Sequence, residues 1–197
     1  MVSLKNAGSV GGGRLMDCYQ KGGPFGDQSA CAGPESVTVM NDLPKSADRV
    51  RKAAQALGLA IEIVEMATST RTVAEAAAAC GCPAGAIVKS LVFMGKQTGR
   101  PYLLLVSGAN RVDEQMAAVT LGETLVRPDA SYVRTVTGFA IGGVPPFAHA
   151  TPVVPFMDAD LLQFETVWAA AGTPTAVFPV DPTRLRDATG ATVIAVK

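Results

Sequence analysis

The sequence predicts an α/β protein of the α+β type, in which a mixed β-sheet is flanked by helices. Strand-like and helix-like segments interleave along the chain without a regular strand–helix–strand repeat. The segment Ile87–Met94 (IVKSLVFM) is apolar on both faces, which is typical of a strand that is covered on both sides. With 197 residues, 48% of them hydrophobic, and no apolar run long enough to span a bilayer, we expect one soluble globular domain and no membrane contact.

The first 39 residues differ in composition from the rest of the chain. They are rich in glycine and show no amphipathic period, so they can bury little apolar area. We expect residues 1–39 to be a disordered extension, a tag remnant or an upstream mis-start, and residues 40–197 to form the domain. No basic segment followed by an apolar one marks a secretory signal.

The first half of the domain carries clear start and stop signals. Ser46 is predicted to cap a helix that runs to about Leu57 and ends at Gly58. Leu59–Val64 alternates apolar and polar residues and predicts a strand. Thr72-Val73-Ala74-Glu75 has the pattern of a capping box, opening an alanine-rich helix that stops at Gly81.

The second half predicts further strands and short helices. Asn110 is expected to cap one helix, Asp129 begins a second, and Asp181 followed by Pro182 begins a third. Val167–Ala171 is predicted as a short helix or turn. The expected strands after the Lys89 strand are Tyr102–Val106, Thr124–Arg127, Pro152–Met157, Thr175–Val180 and Ala191–Val196.

Charge and cysteine content limit the function classes. Seventeen basic and seventeen acidic residues cancel, so the chain lacks the broad positive field that supports strong autonomous nucleic-acid binding. The four cysteines form no C-x-x-C pair and there is one histidine, which argues against a zinc site. We expect reduced thiols, a cytoplasmic location, and neither metal nor cofactor, since phosphate-loop, dinucleotide and metalloprotease motifs are missing.

Two features stand out as candidate chemistry. Lys89 lies within the doubly apolar strand, where it either reaches solvent at the strand end or lines a cleft. The loop Gly142-Gly143-Val144-Pro145-Pro146 joins flexible glycines to stiff prolines, which would hold its free N–H groups in an exposed arc. An ordinary stiff turn is the alternative explanation for the same residues.

Four segments in order resemble the YbaK/prolyl-tRNA-synthetase-associated domain family. They are IVKSLVF at Ile87–Phe93, SGANRVD at Ser107–Asp113, TGFAIGGVPPFAH at Thr137–His149 and VWAAAGTP at Val167–Pro174. The resemblance extends from about Ser46 to Lys197. It implies a mixed, barrel-like sheet surrounded by helices, and the function of a free-standing editing deacylase for mischarged aminoacyl-tRNA, with tRNA(Pro) carrying a small amino acid such as cysteine or alanine as substrate.

The resemblance also implies a functional core. It consists of the strand lysine and the G-x-x-x-P loop, which are Lys89 and Gly142, Gly143, Val144 and Pro146. Backbone N–H groups of the loop would stabilise an oxyanion, and the lysine would hold a phosphate or the polar end of the substrate. The implied partners are the aminoacylated 3′ end of tRNA and, as a second candidate, prolyl-tRNA synthetase; oligomeric state is not predicted.

The residues that select the amino acid are harder to assign. Polar candidates for substrate binding are Thr70 and Ser90, with Pro145 and His149 in or beside the loop; His149 is more typical of a structural histidine than of a general base. Relatives often carry histidine or aspartate after Ala-Ala-Gly, where this chain has Thr173-Pro174-Thr175. Thr175 is therefore a further candidate, and the substrate stays open.

Two other functions remain compatible with the sequence. One is a binding-only domain that keeps the fold without hydrolysis, and the other is a hydrolase of a different small ester that uses the same lysine and loop.

Overall fold

A computed structural model describes residues 38–39, 43–67 and 72–197, all of which belong to one unit, Ala32–Lys197. The unit Met1–Cys31 lies outside the described residues. The described helices are α1 (Lys45–Ala56), α2 (Val73–Cys80), α3 (Glu114–Leu121), α4 (Ala130–Thr137) and α5 (Pro182–Thr189). The strands are β1 (Thr38–Val39), β2 (Val64–Glu65), β3 (Val88–Gly95), β4 (Pro101–Ser107), β5 (Leu125–Val126), β6 (Val154–Asp158), β7 (Val167–Ala170), β8 (Ala176–Val180) and β9 (Thr192–Ile194). None of the described helices is long and apolar enough to cross a membrane.

The strands form two sheets. One is antiparallel, with the order β1-β2-β8-β7, and the other has the order β5-β3-β4-β6-β9. In the second sheet β3 pairs antiparallel with β4 and β5, whereas β6 runs parallel to both β4 and β9. An isolated bridge between Ile87 and Trp168 connects the sheets. The predicted mixed α/β fold is confirmed, with the strands divided between two sheets.

The central hairpin of β3 and β4 is covered on both faces, as its sequence predicted. Along β4, Leu103 and Leu105 face one apolar cluster while Leu104 and Val106 face another. The first cluster also contains the tilted pair of Phe147 and Phe178 rings, whose centroids lie 5.7 Å apart. Alternation of side chains across the strand therefore divides the core into layers on either side of the sheet.

Several local signals form as the sequence indicated. Thr72 Oγ1 accepts a hydrogen bond from Glu75 N at 3.2 Å, and Thr72 N donates to Glu75 Oε2 at 3.1 Å, so the capping box is confirmed. Gly81 ends α2 in the left-handed conformation, at φ 62°. Asp129 and Asp181 cap α4 and α5 through their carboxylates.

Four local predictions differ from the structure. Helix α1 begins after Pro44 without a side-chain cap, so Ser46 lies inside the first turn. Helix α3 is capped by Asp113, whose carboxylate accepts from the N–H groups of the next turn, while Asn110 has another role. Val167–Ala170 is a strand because it alternates buried and half-buried residues and pairs with β8, a pattern that the run of small alanines concealed. The strand predicted from Leu59 is reduced to Val64–Glu65.

The domain boundary proposed at Met40 can be tested by truncation. Thr38 and Val39 pair with β2, so a chain that starts at Met40 leaves the β2 edge without a partner. We expect a chain starting at Ala32 to keep its full free energy of unfolding and one starting at Met40 to lose about 1–2 kcal/mol, since a backbone hydrogen bond contributes about 1 kcal/mol net. Urea unfolding of both truncations measures this, and a loss already present in the Ala32 chain would show that residues 1–31 contribute to stability.

Candidate functional site

A cleft of about 270 Å³ opens where β3 meets the glycine-rich loop. Lys89 and Ser90 line it from β3, Cys80 from α2, Thr72 from the N-cap of α2, and Gly142 and Val144 from the loop. Its other walls are apolar and come mainly from the two sheets: Val73, Ala76, Ile87, Val88, Leu91, Ile141, Trp168, Ala169, Ala170 and Val177. The structure therefore places the two stretches that the sequence singled out at one cleft.

Lys89 is held at its head by backbone oxygen atoms. Its Nζ donates to the carbonyl of Gly108 at 3.2 Å and to the carbonyl of Asn110. Burial lowers the pKa of Lys89, the nearby Asp158 carboxylate opposes that shift, and Arg111 adds to it. Because an ammonium has three N–H donors, two carbonyls leave one donor for a ligand in the cleft.

The loop that holds Lys89 is fixed by a buried polar network. Asn110 Nδ2 donates to the carboxylates of Asp158 and Asp160, each at 2.8 Å, and Asn110 Oδ1 accepts from Lys197 Nζ at 2.8 Å. Asp158 is 2% exposed and also accepts from Ser107 N at 3.1 Å. Every polar atom of the Asn110 side chain thus has a partner, and its carbonyl is kept in place for Lys89.

The glycine-rich loop presents fewer free amides than the sequence predicted. Gly143 N donates to the carbonyl of Ala140 at 3.0 Å, so the expected arc of three free N–H groups is wrong at Gly143. Within the described residues, the amides of Gly142 and Val144 have no such acceptor. Gly142 is at φ 90°, a conformation that favours glycine, and it lines the cleft. Two amides remain as candidate donors.

Gly143 packs tightly against the chain itself. A Cβ atom there would lie 3.0–3.1 Å from backbone atoms of Thr173. Thr175 follows in the same segment, and its hydroxyl donates to Glu65 Oε1 at 3.3 Å. Thr175 lines neither this cleft nor a second cavity that adjoins the cleft across the loop. The Thr173–Thr175 segment therefore supports the loop from behind.

Arg49 of α1 anchors the loop although the two lie far apart in the sequence. Its guanidinium donates to the carbonyl of Thr137 at 2.9 Å and to that of Ala148, and its Cζ lies 4.5 Å from the centroid of the Phe139 ring. Ala148 has φ 66°, which is unfavourable for a residue with a Cβ. The Arg49 contact holds the carbonyl of this strained residue.

The remaining sequence candidates lie in or near the loop, apart from Ser90 and Thr70. His149 Nε2 donates to the Pro145 carbonyl at 2.8 Å, and burial lowers the pKa of the ring, so it is neutral. Pro145 and Pro146 are buried. Ser90 Oγ is buried at the cleft without a hydrogen-bond partner among the described residues, and Thr70 lies outside them.

Sequence reasoning missed Arg49 and the true role of Asn110. Neither residue carries a local signal, because each acts on backbone atoms or side chains far along the chain. Within the described ranges, no group of three or more His, Cys, Asp or Glu side chains could hold a metal ion.

The fold is that of an aminoacyl-tRNA editing domain. The model of the aminoacyl-tRNA editing domain family matches residues 67–188 of this chain. The match covers more than half of the sequence, and the chain belongs to this family.

Individual relatives agree with the family. A solved structure of a candidate trans-editing enzyme for prolyl tRNA synthetase is 48% identical, with a TM-score of 0.75, and covers 79% of this chain and 99% of its own. The solved structure of a hypothetical protein is 33% identical, with a TM-score of 0.71, and covers 75% of this chain and 98% of its own. YwhH of Bacillus subtilis (strain 168), an uncharacterised protein, is 30% identical over 126 residues, which are 64% of this chain and 80% of YwhH.

The anchoring role of Arg49 can be tested by measuring the free energy of unfolding of two variants. Arg49→Ala removes two charge-assisted hydrogen bonds to carbonyls and the contact with Phe139, so we expect a loss of about 3–4 kcal/mol in the free energy of unfolding. Arg51→Ala, on the same helix, removes the solvent-exposed ion pair with Asp48 and should cost less than about 1 kcal/mol. Urea unfolding of both variants measures the two changes. An equal loss of free energy of unfolding in both would contradict the anchoring role of Arg49.

Proposed function

We propose that this protein is a cytoplasmic trans-editing hydrolase that removes a small, wrongly attached amino acid from tRNA(Pro). The observation that carries the proposal is the convergence at one cleft of Lys89, Ser90 and Gly142, whose amide has no acceptor among the described residues. Family membership supports an aminoacyl-tRNA as the substrate class. The relative described as a candidate trans-editing enzyme for prolyl tRNA synthetase supports tRNA(Pro) and makes the synthetase a candidate partner.

The reaction we propose is hydrolysis of the aminoacyl ester. Water attacks the carbonyl carbon, the bond from that carbon to the ribose oxygen breaks, and the released ribose oxygen takes up a proton. The amides of Gly142 and Val144 are the proposed donors to the negative oxygen of the tetrahedral intermediate. The Val144 side chain is buried, which keeps this part of the loop fixed.

Lys89 and Ser90 are proposed to bind and orient the substrate. Lys89 has a donor left over after its two carbonyl contacts, and it would hold a polar oxygen of the ester or the ribose. The Ser90 hydroxyl would gain from the substrate or the attacking water the partner that it lacks in the protein. No histidine or carboxylate side chain occurs among the described lining residues, and the Lys89 ammonium is bonded to the carbonyls of Gly108 and Asn110, so we assign Ser90 as a binding group and not as a nucleophile.

We assign His149 and the prolines to the shape of the loop. The His149 ring donates its Nε2 proton to the Pro145 carbonyl, and His149 does not line the cleft. We therefore do not assign it as a general base. Gly143 and Pro146 act in the same way, by close packing and by fixed φ.

A deacylation screen with a panel of mischarged tRNAs tests the function. Release of cysteine or alanine from tRNA(Pro), and not of proline, supports the proposal. No release from any tRNA points to a binding-only domain, and activity restricted to simple amino-acid esters points to another ester hydrolase.

Lys89→Met separates a functional lysine from a structural one. We expect deacylation to fall to background while the thermal midpoint stays the same or rises. The folded pKa of Lys89 lies below its unfolded value, so the ammonium costs folding free energy at neutral pH. This cost decreases as the pH rises through the folded pKa and is gone above the unfolded pKa. Lys96→Met, on the exposed turn of the same hairpin, is the matched control and should leave both readouts unchanged. Wild-type turnover by Lys89→Met would refute the role.

Gly142→Ala tests the loop amides. An alanine at φ 90° is strained and should displace the amide, and since one oxyanion donor contributes about 3–4 kcal/mol, single-turnover deacylation should slow roughly a hundredfold or more. Affinity for tRNA should change much less.

Gly99→Ala is the matched control for backbone strain. Gly99 has φ 68° and open space around it on the β3–β4 turn, so the variant should lose a similar amount of stability without losing turnover. If Gly142→Ala loses turnover and tRNA affinity equally, the loop only binds substrate. If it loses neither, the loop is a stiff turn.

A further inference from the structure

A second cavity, of about 190 Å³, adjoins the cleft across the glycine-rich loop. Ser90, Leu91, Ile141, Gly142 and Val144 line both spaces. The residues that line the second cavity alone are Val92, Phe93, Arg127, Pro128 and Val133. A ligand whose scissile bond lies at Gly142 can therefore extend into both.

Arg127 gives the second cavity its chemistry, since it is the one charged side chain among the described lining residues. Its Nε donates to Glu114 at 2.7 Å, which fixes one edge of the guanidinium and leaves the two terminal nitrogens for another ligand. The side chain is 68% exposed, and its Cζ lies 5.5 Å from the centroid of the Phe93 ring. A guanidinium held on one edge and open on the other suits a phosphate.

The remaining walls suit a flat apolar group. They consist of aliphatic, proline and aromatic side chains, and Ile141, which lines the cavity, is 62% exposed. A large apolar side chain left this open at the mouth of two cavities gains from being covered, and a nucleobase is a flat group that stacks on such surfaces without sequence readout.

We propose that the second cavity is a subsite for the terminal nucleotide of the substrate, with its base against Ile141 and Pro128 and its 5′-phosphate on Arg127. The inference rests on the proposed function, in which the ester lies at Gly142. The amino acid would then occupy the first cleft. It assigns Arg127 as a substrate-binding residue and explains why the loop separates an apolar cleft holding Lys89 from an apolar cavity holding an arginine.

The probe that tests this subsite is adenosine 5′-monophosphate, titrated into the ¹⁵N-labelled full chain and followed by NMR. We expect shifts at the amides of Val92, Phe93 and Arg127, whereas Val177, which lines only the first cleft, should stay unchanged. Arg127→Gln should weaken binding about tenfold or more, as loss of a charge-assisted contact implies. Adenosine, which lacks the phosphate, should bind wild type and Arg127→Gln alike.

Glu114→Gln is the matched control. The substitution removes the negative charge paired with Arg127, and Glu114 does not line the cavity, so affinity for the nucleotide should be retained or increased. Shifts confined to the first cleft, no saturable binding, or equal weakening by both substitutions would each overturn the subsite.

The binding readout does not depend on hydrolysis, so the two proposals can fail separately. Nucleotide binding at Arg127 by a protein that deacylates no tRNA would refute the proposed function and leave the subsite standing. Deacylation of mischarged tRNA by Arg127→Gln with unchanged KM would refute the subsite alone.

Discussion

The ammonium group of Lys89 sets the constraint on which the site depends. A cation on a strand covered on both faces loses water and must find oxygen partners nearby. The carbonyls of Gly108 and Asn110 supply them, but carbonyls on a mobile loop would not hold a charge in one position. The contacts of the Asn110 side chain with Asp158, Asp160 and Lys197 remove that freedom, so the position of one ammonium is fixed by a network that reaches the last residue of the chain.

The glycine-rich loop solves a related problem for the backbone. Amides that are to receive a ligand must stay without protein acceptors, which costs folding free energy unless the surrounding structure holds them. Arg49 and the His149–Pro145 contact tie the loop by its carbonyls, and Gly143 packs against the Thr173 backbone. These contacts occupy the carbonyls of Thr137, Pro145 and Ala148, and the Gly143 amide is bonded to Ala140. The amides of Gly142 and Val144 have no acceptor among the described residues.

Local chemistry in the sequence predicted local structure well. The Thr72–Glu75 capping box, the Gly81 helix end and the doubly apolar β3 all follow from side chains that act within a few residues, and the lysine predicted to reach solvent or line a cleft lines one. Val167–Ala170 was mistaken because alanine is permissive of helix and strand, and its pairing with β8 decided between them. Arg49 could not be found from sequence, because its carbonyl partners lie 88 and 99 residues away and backbone acceptors leave no residue signature.

The neutral charge of the chain bears on how an editing site of this kind would choose its substrate. With equal numbers of acidic and basic residues, little affinity can come from the tRNA backbone at large, so selection falls on the groups that reach the cleft. A hydrophobic pocket disfavours a wrong group that is one methylene smaller than the right one by only about 1–3 kcal/mol. It can exclude a wrong group that is larger by steric clash. The walls of the cleft suit exclusion, because Ala169, Ala170 and Val177 belong to paired strands that cannot retreat from an oversized acyl group. A rigid strand wall therefore suits the removal of amino acids smaller than the correct one.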